Sequence, residues 1–296
     1  WTAWERREPL PEAIVLDLDL DQPLEEQGAG GKLSDALFSR GDTLRDVVDA
    51  LDRGRTDPRV KGVVARLGGD RLGTGKSQEL RAAIQRFRAS GRFAFAFSES
   101  FGELGPGDRS YYIASAFDRI WLQPVGLVGL TGLGASVPFA RGALDELGVK
   151  PELRHREEYK SFMNTFTEHG FTEPHREMME ALVGDLQEQL VSGIAQGRGI
   201  DPAALRQLID QGPFLDREAL DAKLVDQLGY YDEVTQAAEE RGGAASEPLE
   251  VRDYLDAAGR PHRSGPTIAV IYGTGTIQRG SNGVDPLMGG TSMGSD

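Results

Sequence analysis

Short apolar runs alternate with helical periodicity through the first half of the chain. Glu12 to Leu20 (EAIVLDLDL) ends in apolar/acidic alternation and predicts a strand. Gly41-Asp42-Thr43 opens a helix with Asp42 as cap, and Leu44, Val47, Val48 and Leu51 fall on one face. Lys61 to Leu67 (KGVVARL) is continuously apolar, which predicts a strand buried on both faces. Ser77 caps a second helix carrying Leu80, Ile84 and Phe87, and Ser90-Gly91 stops it. Phe93 to Phe97 predicts another buried strand. Strands alternating with helices indicate an α/β fold with right-handed crossovers.

The pattern continues with a helix at Tyr111 to Phe117 and a strand at Arg119 to Leu122. Val125 to Gly134 (VGLVGLTGLG) is apolar but carries four glycines. Glycine inside a strand marks close backbone approach, either tight sheet packing or an edge where an extended peptide lies. Pro138 to Leu147 and Pro174 to Gln196 predict helices. The second has a stripe of Met178, Met179, Leu182, Val183, Leu186, Leu190 and Ile194 that reads as core. Asp201-Pro202 starts another helix, and Leu215 to Gly229 reads as helix then short strand. Residues 244–266 are small and charged and predict a linker. Thr267 to Gly273 (TIAVIYG) then resembles the first strand, and Gly-rich loops follow both. The offset of about 254 residues suggests an internal repeat whose second copy has only its opening here. The domains are therefore 1–243, a first repeat, and 267–296, the start of a second.

The net charge of −14 argues against a nucleic-acid partner. Cysteine is absent, which removes disulfides and thiolate chemistry. The four histidines form no HxH or HxxxH pair, so no metal is expected, and no cofactor. No apolar run reaches the ~20 residues of a membrane span. Because the chain starts at Trp1, an upstream anchor that was removed remains compatible with it.

Two motifs fail on spacing. Gly73-Thr74-Gly75-Lys76-Ser77 has Asp70 where a phosphate loop needs glycine. Gly290-Thr291-Ser292-Met293-Gly294 fits G-x-S-x-G but follows Pro286 and has no helix after it; Ser281 reads as a turn residue. Lys160 stands out, in a chain of six lysines, between Tyr159 and Phe162. A desolvated lysine loses its proton and can act as a base, which arginine cannot. Nearby Arg154 and Arg156 would favour the neutral form if folded close. The alternative is a snorkelling lysine with its ammonium in water.

The stretches TDPRVKGVVARL, RSYYIASAFDRIWLQPVGLVGLTGLGA, REEYKSFMNTFTE and TIAVIYGTGTI, in this order, resemble the long form of the signal peptide peptidase A (protease IV) family. The resemblance implies a Clp-protease/crotonase-like fold of repeated β-β-α units and a serine endopeptidase with a Ser/Lys dyad. Lys160 then matches the general base, and Gly129, Leu130, Thr131 and Gly132 the substrate strand. The family's nucleophile stands on a serine-bearing turn of the second repeat. The equivalent here, Leu67-Gly68-Gly69-Asp70, has no serine, and the repeat offset puts the nucleophile near ~320. A chain of these residues alone is thus expected to be inactive. The resemblance also implies cleavage of signal-peptide remnants and other peptides, a homotetramer and a bacterial membrane or envelope location. A crotonase-type acyl-CoA enzyme and a non-catalytic assembly domain are the alternatives. A working base near pKa 7–8 lies ~3 units below free lysine, about 4 kcal/mol that burial has to supply.

Overall fold

The computed structural model describes residues 10–26, 41–69, 71–103, 105–243, 246–262, 265–270, 276–281, 283–284 and 291–295. Six parallel strands form the main sheet: β1 (Ala13–Asp19), β2 (Val60–Arg66), β3 (Phe93–Ser98), β4 (Arg119–Leu122), β7 (Gln227–Leu228) and β8 (Ser246–Glu250). They lie in the order β7-β4-β3-β2-β1-β8. A separate antiparallel pair joins β5 (Leu127–Val128) to β6 (Phe214–Leu215). The helices are α1 (Leu44–Gly54), α2 (Thr74–Ala89), α3 (Asp108–Ala114), α4 (Arg141–Glu146), α5 (Asn164–Thr167), α6 (Glu173–Arg198), α7 (Pro202–Gln211), α8 (Asp216–Asp221), α9 (Tyr231–Gly242) and α10 (Val251–Ala258). This is the expected α/β class with a parallel sheet.

Both sheet faces are buried, which explains the continuous apolar runs. Ile14, Leu16, Leu18, Val63, Ala65, Ala94, Ala96, Ile120 and Leu122 face one core with Leu51, Leu80, Phe87, Tyr111 and Leu255 from the helices. Val15, Val64, Phe93, Phe95, Phe97 and Trp121 face the other, covered by Val234 and Ala238 of α9.

Several boundaries differ from expectation. The cap of α1 is Thr43, not Asp42. Its side chain accepts from the Asp46 amide while Asp46 accepts from the Thr43 amide, a reciprocal box that Asp42, one residue too early, cannot make. Helix α2 starts at Thr74, so Ser77 is one turn inside and its hydroxyl donates to the Gly73 carbonyl. The expected Val125 to Gly134 strand pairs only over Leu127–Val128. The long α6 buries Leu190, Val191, Ile194 and Ala195 near its C-terminus, but its N-terminal half stands off the core. There Leu182 is 52% exposed, so the apolar stripe is core only in part. Of the expected 267–273 strand, residues 267–270 are irregular and the remainder lies outside the described residues, as does the Gly-rich loop after the first strand, residues 27–32.

The expected 244–266 linker holds β8 and α10 instead. β8 closes the sheet beside β1, and Val251, Tyr254 and Leu255 of α10 are buried. Too little apolar sequence lies in β8 to mark it as a strand; its partner β1 makes it one. Arg260, just past α10, ion-pairs with Asp46 and, at 2.8 Å, with Asp49 of α1. Burial alone would raise the Asp46 pKa, but hydrogen bonds from Arg260 and Thr43 outweigh it and hold it below the usual carboxylate range. A depressed folded-state pKa adds stability above the unfolded value of ~3.9, which is lost as pH falls. Arg260→Ala is expected to cost about 1–2 kcal/mol at neutral pH, measured by urea unfolding. The gap from wild type should narrow as the pH falls below the unfolded carboxylate value of ~3.9 and on through the lower pKa of folded Asp46. Equal stability at pH 7 would show that the 246–260 segment is not clamped to α1.

Candidate active site

Between β5 and α6 the chain leaves the sheet, forms an arm, and returns. The tether at its start is Gly129-Leu130-Thr131-Gly132. Leu130 is fully buried. The Gly129 amide donates to the Phe101 carbonyl at 2.7 Å, and the Gly129 carbonyl accepts from Gly107 at 2.9 Å. The amides of Thr131 and Gly132 both donate to Oδ1 of Asp108, at 3.2 and 2.8 Å, and the Leu133 amide donates to Gln187 Oε1 at 3.0 Å. Asp108 is buried at the first position of α3, where the positive end of the helix dipole favours a carboxylate. Along 129–132 the amides of Gly129, Thr131 and Gly132 are thus already taken by the fold, and the Leu130 side chain is buried between them. The sequence did not single out Asp108; its place just before the apolar face of a short helix was the available signal.

Beyond the tether, residues 133–140 run without regular structure. A cleft of about 460 Å³ lies between this run and α6, lined by Leu133, Ala135, Phe171, Met179, Val183 and Gln187. The exposed half of the α6 stripe forms one wall.

Lys160 is on the arm, at the cap of a short 3₁₀ turn, Ser161–Met163, and is exposed. Tyr159 and Phe162 are 48% and 75% exposed, so they do not enclose it as expected. The reason is local: residues 149–160 form no helix or strand, and only Ser161 and Asn164 next to them are buried. Arg154 and Arg156 are exposed as well. Among the described residues no hydrogen bond or ion pair links Lys160 to residues 129–132. What fixes the arm was also missed from sequence. Phe139, Phe171 and His175 pack with ring centroids 4.8–6.0 Å apart. Asn164 donates to Thr172 Oγ1 at 3.2 Å, and the Ala140 amide to the Thr165 carbonyl at 2.7 Å.

At the carboxyl ends of β1, β2 and β3 lies a cleft of about 660 Å³ lined by Gly68, Gly69, Glu99, Ser100 and Glu103. This is where open parallel sheets bind ligands. The Gly68 carbonyl accepts from the Gly102 amide and from Ser110 Oγ, and the Gly69 amide donates to Asp21 Oδ1 at 3.0 Å. The turn is pinned, and neither of its described glycines offers a nucleophile. Ser292 sits in a short strand, Thr291–Gly294, not on a strand-to-helix turn. Among the described residues no group of three or more His, Asp or Glu could hold a metal ion, and no helix is long and apolar enough to cross a membrane.

Residues 107–245 match peptidase family S49, a span that holds the tether and Lys160. The chain is 28% identical over 293 residues to Protease 4 of Salmonella typhi, and 26% identical over 259 residues to the chloroplastic serine protease SPPA of Arabidopsis thaliana. These alignments cover 90% and 84% of this chain but only 46% and 38% of the relatives, so the chain spans less than half of their length. Among solved structures, a membrane-bound stomatin-specific protease aligns with a TM-score of 0.41 at 11% identity, over 81% of this chain and 99% of its own. An enoyl-CoA hydratase/isomerase family protein from Silicibacter pomeroyi aligns with the same TM-score, 0.41, at 13% identity over 80% of each chain. Overall shape at that level carries no weight between protease and acyl-CoA chemistry. On the sequence matches, residues 107–245 form a peptidase family S49 region, and the chain as a whole is similar to proteases of the signal peptide peptidase A type.

Proposed function

We propose that this chain is the base-bearing part of a serine endopeptidase that uses a Ser/Lys dyad, with Lys160 as general base. The observation that carries the reading is the position of Lys160: inside the family match, yet exposed on an arm held off the sheet. A base in that position suits a serine and an enclosing surface that both come from outside the described residues. The pinned, serine-free Gly68-Gly69 turn supports the same division of labour.

The chemistry then runs as follows. Neutral Lys160 takes the proton from the serine hydroxyl as its oxygen attacks the peptide carbonyl. The resulting ammonium returns the proton to the leaving amine when the C–N bond breaks. Lys160 next takes a proton from water as the water oxygen attacks the acyl carbonyl, and returns it to the serine oxygen when the acyl–serine bond breaks, which frees the acid and restores neutral lysine and the serine hydroxyl. The neutral lysine this requires is disfavoured in water, so assembly of the site supplies the desolvation that Tyr159 and Phe162 do not. Substrates are signal-peptide remnants and other extended peptides. Self-association into a homotetramer and attachment to the cell envelope through a segment outside this chain belong to the same reading.

The peptide groove is better sought beyond the tether, along 133–135 and the cleft against α6, because the amides at 129, 131 and 132 are occupied. Gly132 has φ +82°, and a Cβ there would stand 3.2 Å from Ile209 Cγ2. Gly132→Val should therefore cost stability, about 1–3 kcal/mol, with any binding loss following from it. Gly134 faces open space and its φ is not left-handed. Gly134→Val is expected to raise the KM for peptides while the Tm stays unchanged. An unaltered KM would remove 133–135 from the groove.

In the full-length protein, Lys160→Ala should abolish both peptide hydrolysis and serine labelling by a fluorophosphonate, with Tm within a few degrees, since the side chain is exposed. Lys160→Arg should be equally inactive because guanidinium stays charged. Turnover retained by Lys160→Ala would overturn the assignment; a wild-type protein that never labels would point to a non-peptidase member of the fold.

A further inference from the structure

We infer that Tyr159 and Glu177 are positioning residues for Lys160, tying the backbone on its N-terminal side to helix α6. The inference rests on the reading of Lys160 as base and adds what places it.

The two sides of Lys160 are held differently. On the C-terminal side, Ser161 and Asn164 are buried, Asn164 bonds Thr172, and the Phe139/Phe171/His175 cluster locks the arm onto the start of α6. On the N-terminal side, residues 149–160 form no helix or strand. His155 Nδ1 contacts the Glu157 carbonyl and Arg156 lies near Glu157, contacts that stay within the stretch. Among the described residues, one side-chain hydrogen bond carries 150–160 to another element: the Tyr159 hydroxyl donates to Glu177 Oε2 at 2.8 Å. Glu177 is in the second turn of α6, a 26-residue helix whose far end is buried and tied by Arg198 to Asp226. The bond to Glu177 raises the Tyr159 pKa, so the phenol keeps the proton it donates. The residue next to the base is thus anchored to a long helix that packs on the body at its far end.

An exposed hydrogen bond of this kind contributes little to global stability. A base, by contrast, acts only within hydrogen-bond reach of its proton, and a displacement of about 1 Å costs on the order of 100-fold. The anchor should therefore register in turnover and not in unfolding. Glutamine at 177 keeps an acceptor oxygen, whereas alanine does not.

The test uses the full-length protein, a fluorogenic peptide substrate and the fluorophosphonate labelling rate. Tyr159→Phe and Glu177→Ala are each expected to lower kcat and the labelling rate about 10- to 100-fold, with KM within about twofold and Tm unchanged. The double variant should be no slower than the worse single one, because both remove the same bond. Glu177→Gln should recover most of the lost rate. Wild-type kcat in both single variants, losses that multiply in the double variant, or losses that follow a falling Tm would each overturn the inference. Lys160→Ala, measured alongside, separates the two ideas: if it is inactive while Tyr159→Phe is fully active, positioning fails alone. If Lys160→Ala is active, the base assignment itself fails.

Discussion

A parallel sheet cannot face water on either side, and most of this molecule follows from meeting that requirement. Alternate residues of β1 to β4 send aliphatic groups one way and Phe93, Phe95, Phe97 and Trp121 the other. The first face is closed by α1, α2, α3 and α10, the second by α9. Both α9 and α10 lie late in the chain, so the sheet formed by the first half is covered only when residues 231–258 fold back onto it. The stretch that composition marks as linker is thereby drawn into the core, with β8 extending the sheet and Arg260 joining it to two buried carboxylates of α1.

The arm obeys a different logic. It is joined to the body through Asp108 and Gln187, which accept from the amides of the tether, and through the ring cluster at the start of α6. Its own apolar residues are too few to make a core. Phe162, Leu182 and the Met179 side of α6 consequently remain at or near the surface, and Lys160 keeps access to water. A neutral lysine needs the reverse environment. Among the described residues nothing supplies the desolvation that the proposed Ser/Lys dyad demands, and an arm open on one side is a form that another surface can complete.

Periodicity and turn residues were enough to mark the α/β class, β1 to β4, the long α6 and the stop at Ser90-Gly91, because each depends on neighbours in sequence. The same information located Lys160 as unusual by its aromatic flanks. Caps were misjudged by one residue or one turn where a reciprocal hydrogen bond decided between adjacent candidates, as at Thr43. What only the tertiary structure decided depends on partners far along the chain. β8 is a strand because β1 offers it an unpaired edge, and the glycines at 129 and 132 serve a tether because Phe101 and Asp108 take their amides. Lys160 is exposed because nothing in its own stretch folds over it. Burial is a property of what comes to lie opposite a residue, and sequence spacing around Lys160 carried no record of that.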